Sequence, residues 1–308
     1  MRIAIMGAGG VGGYFGGLLA RAGNQVTFIA RGAHLESLKT HGLTIKGHKE
    51  QFTVAVTATD DPREVFGPID LLLFTVKTYQ NTTAIPFITP LVSNETTILT
   101  LQNGVESHLE ISALFGRDSI LPGAAYIESE MEAPGIIRQQ GEVVRIVFGE
   151  LDGEKSVRAQ HILNTFLKAG VNAELSGDIS KTIWTKFLFI ASMAGLTTVA
   201  RAPMAKLLPI PEMLKLLEAS MHEVANVARA KGIDLHPRVV DTTLKYIEDT
   251  VQNLKASMHK DLELGRDLEL DALNGAITRM GKETGVPTPV NEFIYSILKV
   301  HKDGSRSI

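Results

Sequence analysis

The chain has 308 residues, 44% of them hydrophobic and 21% charged, with 28 glycines, 12 prolines and no cysteine. That length and composition exclude a disordered or fibrous chain and predict about two domains with ordinary cores. A formal net charge of -3 gives no electrostatic footing for nucleic acid or an anionic membrane, and the absence of cysteine excludes disulfides, thiolate metal sites and a cysteine nucleophile.

Met1-Arg2 followed by uncharged residues from Ile3 to Ala20 has the superficial layout of a secretory signal. The glycines Gly7, Gly9, Gly10, Gly12, Gly13, Gly16 and Gly17 argue against that, because such density weakens an apolar helix and suits a tight backbone turn. The run Phe187 to Ala200 reads as a buried helix, and a soluble protein of a reducing, cytoplasmic setting is expected. Arg2 to Met6 is predicted as a strand, Gly10 to Ala22 as a helix and Gln25 to Ala30 as a second strand. Segment 52–57 is predicted as another. Asp70 to Val76 and Thr97 to Leu101 are nearly continuous apolar runs, as in parallel strands covered on both faces. Gly123 to Phe148 contains β-rich pieces broken at Pro134-Gly135 and Gly141, and is expected to finish the sheet with antiparallel strands. From Ser176-Gly177-Asp178 onward the pattern is helical: 179–200, 211–232, 237–254, 267–285 and 290–301. The reading is an α/β Rossmann dinucleotide-binding domain over 1–177, followed by an all-α domain over 178–308.

Gly7-Ala8-Gly9-Gly10-Val11-Gly12 is a G-x-G-x-x-G between the first strand and the first helix. In that context the first glycine allows the turn, the second lets backbone approach a pyrophosphate and the third packs helix on strand. The acidic residue that would mark NAD is missing: Arg31 stands 19 positions after Gly12, with no Asp or Glu before Glu36. A guanidinium there suits a 2′-phosphate, so NADP(H) is the expected cofactor. The nine histidines include no H-E-x-x-H or other metal-ligand pair, and no G-x-S-x-G is present, so zinc- and serine-hydrolase readings fail and no metal site is expected.

Further motifs accumulate: Thr75-Val-Lys77-Thr-Tyr-Gln80, Leu101-Gln-Asn103-Gly104-Val105, Ile183-Trp184-Thr-Lys186, the stretch from Ser257 through Glu269 to Gly275, and Gly285-Val-Pro-Thr-Pro289. Together, from Gly7 to Pro289, they resemble the ketopantoate reductase (2-dehydropantoate 2-reductase) family. The resemblance implies a Rossmann domain holding NADPH and a helical domain that closes over it with a 2-oxo acid between them, reduced to a D-2-hydroxy acid. It also implies that Lys186 is the general acid, Glu269 the acidic residue that works with it, and Ser257 a substrate-binding hydroxyl. Lys77, Asn103 and Glu269 fall on the cofactor side, with Asn103 also facing substrate. Physical chemistry agrees, since hydride addition to a ketone builds negative charge on oxygen that a cationic donor both stabilises and protonates. If 257–269 were one helix, Ser257 and Glu269 would lie ~18 Å apart; Gly265 is expected to break it and let the chain double back.

The sequence departs from the family at two places. Pantoate-forming members tend to carry Asn one and two turns after the lysine, where this chain has Ile190 and Ala194; both should face the same substrate wall as Lys186, making it more apolar. Ser192, Thr197 and Thr198 are the candidates to replace the missing hydrogen bonds. The sequence thus supports an NADPH-dependent reduction of ketopantoate to pantoate, in pantothenate biosynthesis. A different, branched or aromatic 2-oxo acid is the alternative, and a non-catalytic NADP(H)-sensing protein a third reading. The expected partner is a small-molecule 2-oxo acid, with a homodimer left open.

Overall fold

The computed structural model describes residues 1–250 and 255–307. It divides into two compact units, Met1–Gln102 with Glu106–Ile179, and Asn103–Val105 with Ser180–Ile308.

The first unit opens with β1 (Arg2–Met6), α1 (Gly10–Arg21), β2 (Gln25–Ile29) and α2 (Gly32–His41). It continues through β3 (Leu43–Lys46), β4 (Gln51–Val54), β5 (Thr57–Thr59), β6 (Leu71–Phe74), α3 (Asn81–Phe87), β7 (Thr97–Thr100) and α4 (Ser107–Phe115). It closes with β8 (Ile120–Ala133), β9 (Ile136–Phe148), α5 (Val157–Lys168) and β10 (Ala173–Leu175). The sheet order is β4-β3-β9-β8-β7-β6-β1-β2-β5, with β10 on β9. From β8 to β5 neighbouring strands are parallel. Alternate residues of each strand feed two cores: Ile3, Ile5, Leu71 and Leu73 belong to one cluster, Ala4, Met6, Leu72 and Phe74 to the other. Coverage on both faces is why these runs are apolar throughout.

One expectation for this unit changes. The single strand 52–57 is in fact β4 and β5, which pair with β3 and β2 at opposite ends of the sheet order. Only Ala55 and Val56 join them, so the sheet curls until its two edges are a few residues apart, with α1 packed against strands from both. The alternation of Phe52, Val54 and Val56 runs straight through this change of partner, so periodicity does not reveal it. The glycines that mimic a secretory segment serve α1: a Cβ on Gly13, Gly16 or Gly17 would lie 2.7 Å from Ile137, 2.6 Å from Phe28 or 3.1 Å from Ile45.

The second unit holds α6 (Ile179–Ala200), α7 (Met204–Leu207), α8 (Pro211–Ala230), α9 (Val239–Thr250), α10 (Ser257–Glu263), α11 (Asn274–Thr284) and α12 (Pro289–Leu298). The last four residues of the expected helix 237–254 lie outside the described residues. Among the described residues α6 is the one helix long and apolar enough to cross a membrane, and 67% of its apolar window is buried. Helix 267–285 resolves into a 3-10 turn over Glu269–Asp271 followed by α11. Gly265, at φ +62, ends the segment begun by α10, as its position implied. A polar network crosses this unit: the Glu223 carboxylate accepts from Val290 N, Asn291 N and Asn291 Nδ2 at 2.7–2.9 Å. Asn274 Nδ2 in turn donates to Asn291 Oδ1 and to the Ala191 carbonyl of α6. This pins α11, and the turn carrying Glu269 just before it, onto the helix that carries Lys186.

Candidate active site

In the first unit the parallel strands β1, β2 and β6 end on one edge, beside the point where the strand order reverses around β1, the usual ligand crevice of such sheets. Gly7 follows β1 at φ +101, and a Cβ there would lie 2.6 Å from Val76 N, just past β6. On Gly12 it would lie 2.2 Å from the Gly7 carbonyl, and on Gly10 2.4 Å from the Ser129 carbonyl. Gly9 is different, because a Cβ there would meet nothing within 4 Å. Gly9 also N-caps α1 without a side-chain hydrogen bond, and the first turn carries no acidic residue. Thr75 Oγ1 donates to the Met6 and Gly7 carbonyls at 3.1 and 2.8 Å, holding loop oxygens back. An open approach, the outward N–H groups of a helix's first turn and the positive helix end fit a pyrophosphate. Arg31, exposed, is the N-cap of α2 just beyond β2, and Lys77, half-buried, stands just beyond β6.

In the second unit Lys186 Nζ donates to Asn103 Oδ1 at 2.9 Å. Gly104, at φ +94, faces the Ala272 carbonyl 3.0 Å from its would-be Cβ, which seats the Asn103 turn beside the Glu269–Asp271 segment. Burial lowers the Lys186 pKa to about 8, with the Glu269 carboxylate pulling the other way. Glu269 itself is 6% exposed. Asp271, two residues on, is committed elsewhere: it pairs with Lys302 at 2.6 Å and accepts from Tyr295 at 3.0 Å. Three expected site residues therefore share one electrostatic environment.

The remaining expected residues sit differently. Ser257 is the exposed first residue of α10. Ile190 is half-buried on α6, whereas Ala194 is 1% exposed, and its carbonyl accepts from Thr197 and Thr198. Ser192 accepts from Ser220 at 2.9 Å inside the helical core. These threonine donors are thus spent on their own helix and are not available to replace the missing asparagines. Sequence reasoning did not single out Thr75 for the loop, although it lies in the Thr75-Val-Lys77 motif. Asn274, at 0% exposure, also went unassigned; a polar residue before a glycine in an otherwise apolar stretch was its signal.

Family models described as ketopantoate reductase PanE/ApbA and ketopantoate reductase PanE/ApbA C terminal match residues 3–153 and 178–302. The chain belongs to the ketopantoate reductase family. The resemblance read from the motifs is borne out, as are the Rossmann-plus-helical fold class and the assignment as an oxidoreductase. Ketopantoate reductases are NAD(P)-dependent enzymes of small keto acids. "Uncharacterized oxidoreductase YkpB" of Bacillus subtilis (strain 168) is 32% identical over 304 residues, covering 98% of this chain and 99% of that one. The crystal structure of 2-dehydropantoate 2-reductase from Geobacter metallireducens GS-15 superposes with a TM-score of 0.91 at 32% identity, covering 97% of this chain and 99% of that one. D-mandelate dehydrogenase, in a ternary structure with NADH and anilino(oxo)acetate, gives a TM-score of 0.90 at 28% identity, covering 98% of each chain.

Proposed function

We propose that this ketopantoate reductase homologue uses NADPH to reduce a 2-oxo acid to the D-2-hydroxy acid, with Lys186 as proton donor. The observation that carries the reading is the Lys186 ammonium, hydrogen-bonded to Asn103 and desolvated until its pKa is about 8. A group so tuned keeps its proton near neutral pH and still gives it up readily, as a general acid must. The nicotinamide cofactor supplies the hydride. As charge builds on the carbonyl oxygen, Lys186 Nζ stabilises and then protonates it, while Asn103 orients the ammonium and Glu269 keeps it charged. Arg31 supports NADPH over NADH, and Lys77 stands on the same strand-end edge as the glycine loop. Ser257 contributes a hydroxyl to the substrate side.

For the substrate, the half-buried Ile190 favours a branched or aromatic 2-oxo acid, and the mandelate dehydrogenase likeness points the same way. Ketopantoate, the substrate in the family's name, is the second reading. It carries a hydroxyl that Ile190 cannot pair, a mismatch costing roughly 1–3 kcal/mol or a factor of about 5 to 150 in kcat/KM.

The test is kcat/KM with NADPH and NADH over ketopantoate, 2-oxoisovalerate and phenylglyoxylate. NADPH should lead by about tenfold to 150-fold, the value of one charge-assisted hydrogen bond, and Arg31→Ala should remove most of that lead. Equal efficiency with NADH overturns the NADPH assignment. No cofactor consumption on any 2-oxo acid overturns the enzymatic reading in favour of a non-catalytic NADP(H)-binding role. A ketopantoate lead of about a hundredfold or more, at the upper end of the mismatch penalty, establishes the second substrate reading.

A further inference from the structure

His34 of α2 joins two pieces of backbone remote in sequence. Its Nε2 lies 2.9 Å from the Ala8 carbonyl oxygen, and the Gly135 N–H, at the turn between β8 and β9, donates to its Nδ1 at 2.9 Å. A carbonyl only accepts and a backbone N–H only donates, so the ring carries one proton, on Nε2, and is neutral. The turn is clamped to α2 at a second point, because Ser37 Oγ donates to the Pro134 carbonyl at 3.1 Å. Gly135, at φ +75, leaves no room for a Cβ, which would lie 2.3 Å from that hydroxyl.

Ala8 is the second residue of the glycine loop. In a trans peptide the C=O and N–H point in opposite directions, so holding the Ala8 carbonyl on His34 aims the Gly9 N–H away from α2. Thr75 does the same for the Ala8 N–H by holding the Gly7 carbonyl at 2.8 Å. The space beside Gly9 is the open one.

We propose that His34 is a positioning residue for the dinucleotide: the neutral imidazole, anchored on Gly135, ties the Ala8 carbonyl back and presents the Gly9 N–H to the pyrophosphate, and protonation releases the loop. The proposal rests on the dinucleotide reading of that loop. A proton on Nδ1 would face the Gly135 N–H donor to donor at hydrogen-bond distance, which removes the anchor that holds the ring in place on the loop. Burial holds the His34 pKa below its ordinary value, with the bond to Ala8 opposing, and no charged side chain contributes to the shift. Arg31 and Glu36 of α2 face solvent, and Glu132 on the hairpin is paired with Lys46 and Arg138. The switch therefore works in acid, below the usual histidine range, and leaves the neutral-pH enzyme intact.

The experiment is isothermal titration calorimetry of the full-length protein with NADP⁺ and NAD⁺, at about pH 7.5 and about pH 5, in two buffers of different ionisation enthalpy. NAD⁺ serves as control because it lacks the 2′-phosphate, whose own proton titrates near ~6. The wild type should bind NAD⁺ roughly three- to thirtyfold more weakly at the lower pH, and binding there should release up to about one proton. His34→Gln can still donate to Ala8 but does not titrate, so it should keep its neutral-pH affinity within about threefold and lose both the pH dependence and the proton release. His34→Phe should bind about tenfold more weakly at both pH values, one hydrogen bond's worth, while remaining folded at the temperature of the measurement. Equal wild-type affinity at both pH values without proton release overturns the proposal, as does a folded His34→Phe that binds like wild type. Should His34→Phe not fold, proton release in wild type against His34→Gln decides. A wild type that binds neither nucleotide at either pH overturns the dinucleotide reading itself, a separate result.

Discussion

Lys186 shows how one environment sets both the charge and the usefulness of a side chain. Burial disfavours its ammonium form and the Glu269 carboxylate favours it; burial prevails, and the pKa comes to rest at about 8. The sign of the pH dependence follows. With Lys186 as the proposed proton donor, reduction needs the protonated amine, so its kcat should be level below about pH 8 and fall as pH rises through that value. Oxidation of the hydroxy acid needs the neutral amine and should rise through the same window. Parallel pH–rate profiles in the two directions check this; a reduction rate still level two units above the break removes Lys186 from the proton transfer. Lys186→Ala should cost ~10²–10⁴ in kcat while leaving dinucleotide affinity unchanged. Lys186→Arg should recover little, because guanidinium holds its proton too tightly.

At the scale of elements, the strand–loop–helix around Gly7–Gly12 separates glycines packed against the fold from Gly9, which opens on free space and on the proposed dinucleotide role serves the ligand. Gly12→Ala puts a methyl group 2.2 Å from the Gly7 carbonyl, backbone that cannot move aside, and should cost ~1–3 kcal/mol in urea unfolding. Gly9→Ala meets no protein atom and keeps an ordinary φ of -77, so stability should fall by less than ~1 kcal/mol, the difference between the two as N-caps. Dinucleotide affinity should nevertheless drop about tenfold or more, because the new methyl stands where a phosphate must approach. Equal losses of stability in the two variants would deny this division of roles. Much of this element was legible in the sequence, since glycine spacing, flanking apolar runs and Arg31 are all local signals. What lay across the chain was hidden: the change of partner between β4 and β5, the Ser129 backbone against Gly10, and His34 on Gly135.

For the whole molecule, the glycine loop, Arg31 and Lys77 belong to one compact unit and Lys186, Asn103 and Glu269 to the other, so on the proposed roles substitutions at the loop and at Lys186 should separate in kinetics. Ile190→Asn, on the helical unit, should raise kcat/KM for ketopantoate by about 5- to 150-fold, the value of one satisfied hydroxyl, and leave the dinucleotide dissociation constant within about twofold. No gain for ketopantoate would remove Ile190 from the substrate wall. The helical unit's element order could be read from Pro and Gly punctuation, and α6 begins and ends where the sequence placed it. Its site could not be read that way. Asn103 and Lys186 are 83 positions apart, and no periodicity connects them; only the family resemblance placed them together, with Glu269.

The hairpin of β8 and β9 has a bearing on synthesis. The glycine loop is complete in sequence by Gly12, yet Gly10 packs on Ser129, Gly13 on Ile137, and His34 receives its hydrogen bond from Gly135. Contacts at such separation form late and carry a large loop-closure cost. On the ribosome the first βαβ segment therefore emerges with its apolar strands formed from local signals but without the hairpin that braces it. Until roughly half the polypeptide has left the exit tunnel, the glycine loop of the nascent chain lacks the hairpin that packs against it. It is then an exposed parallel sheet edge, the kind of intermediate that chaperones engage.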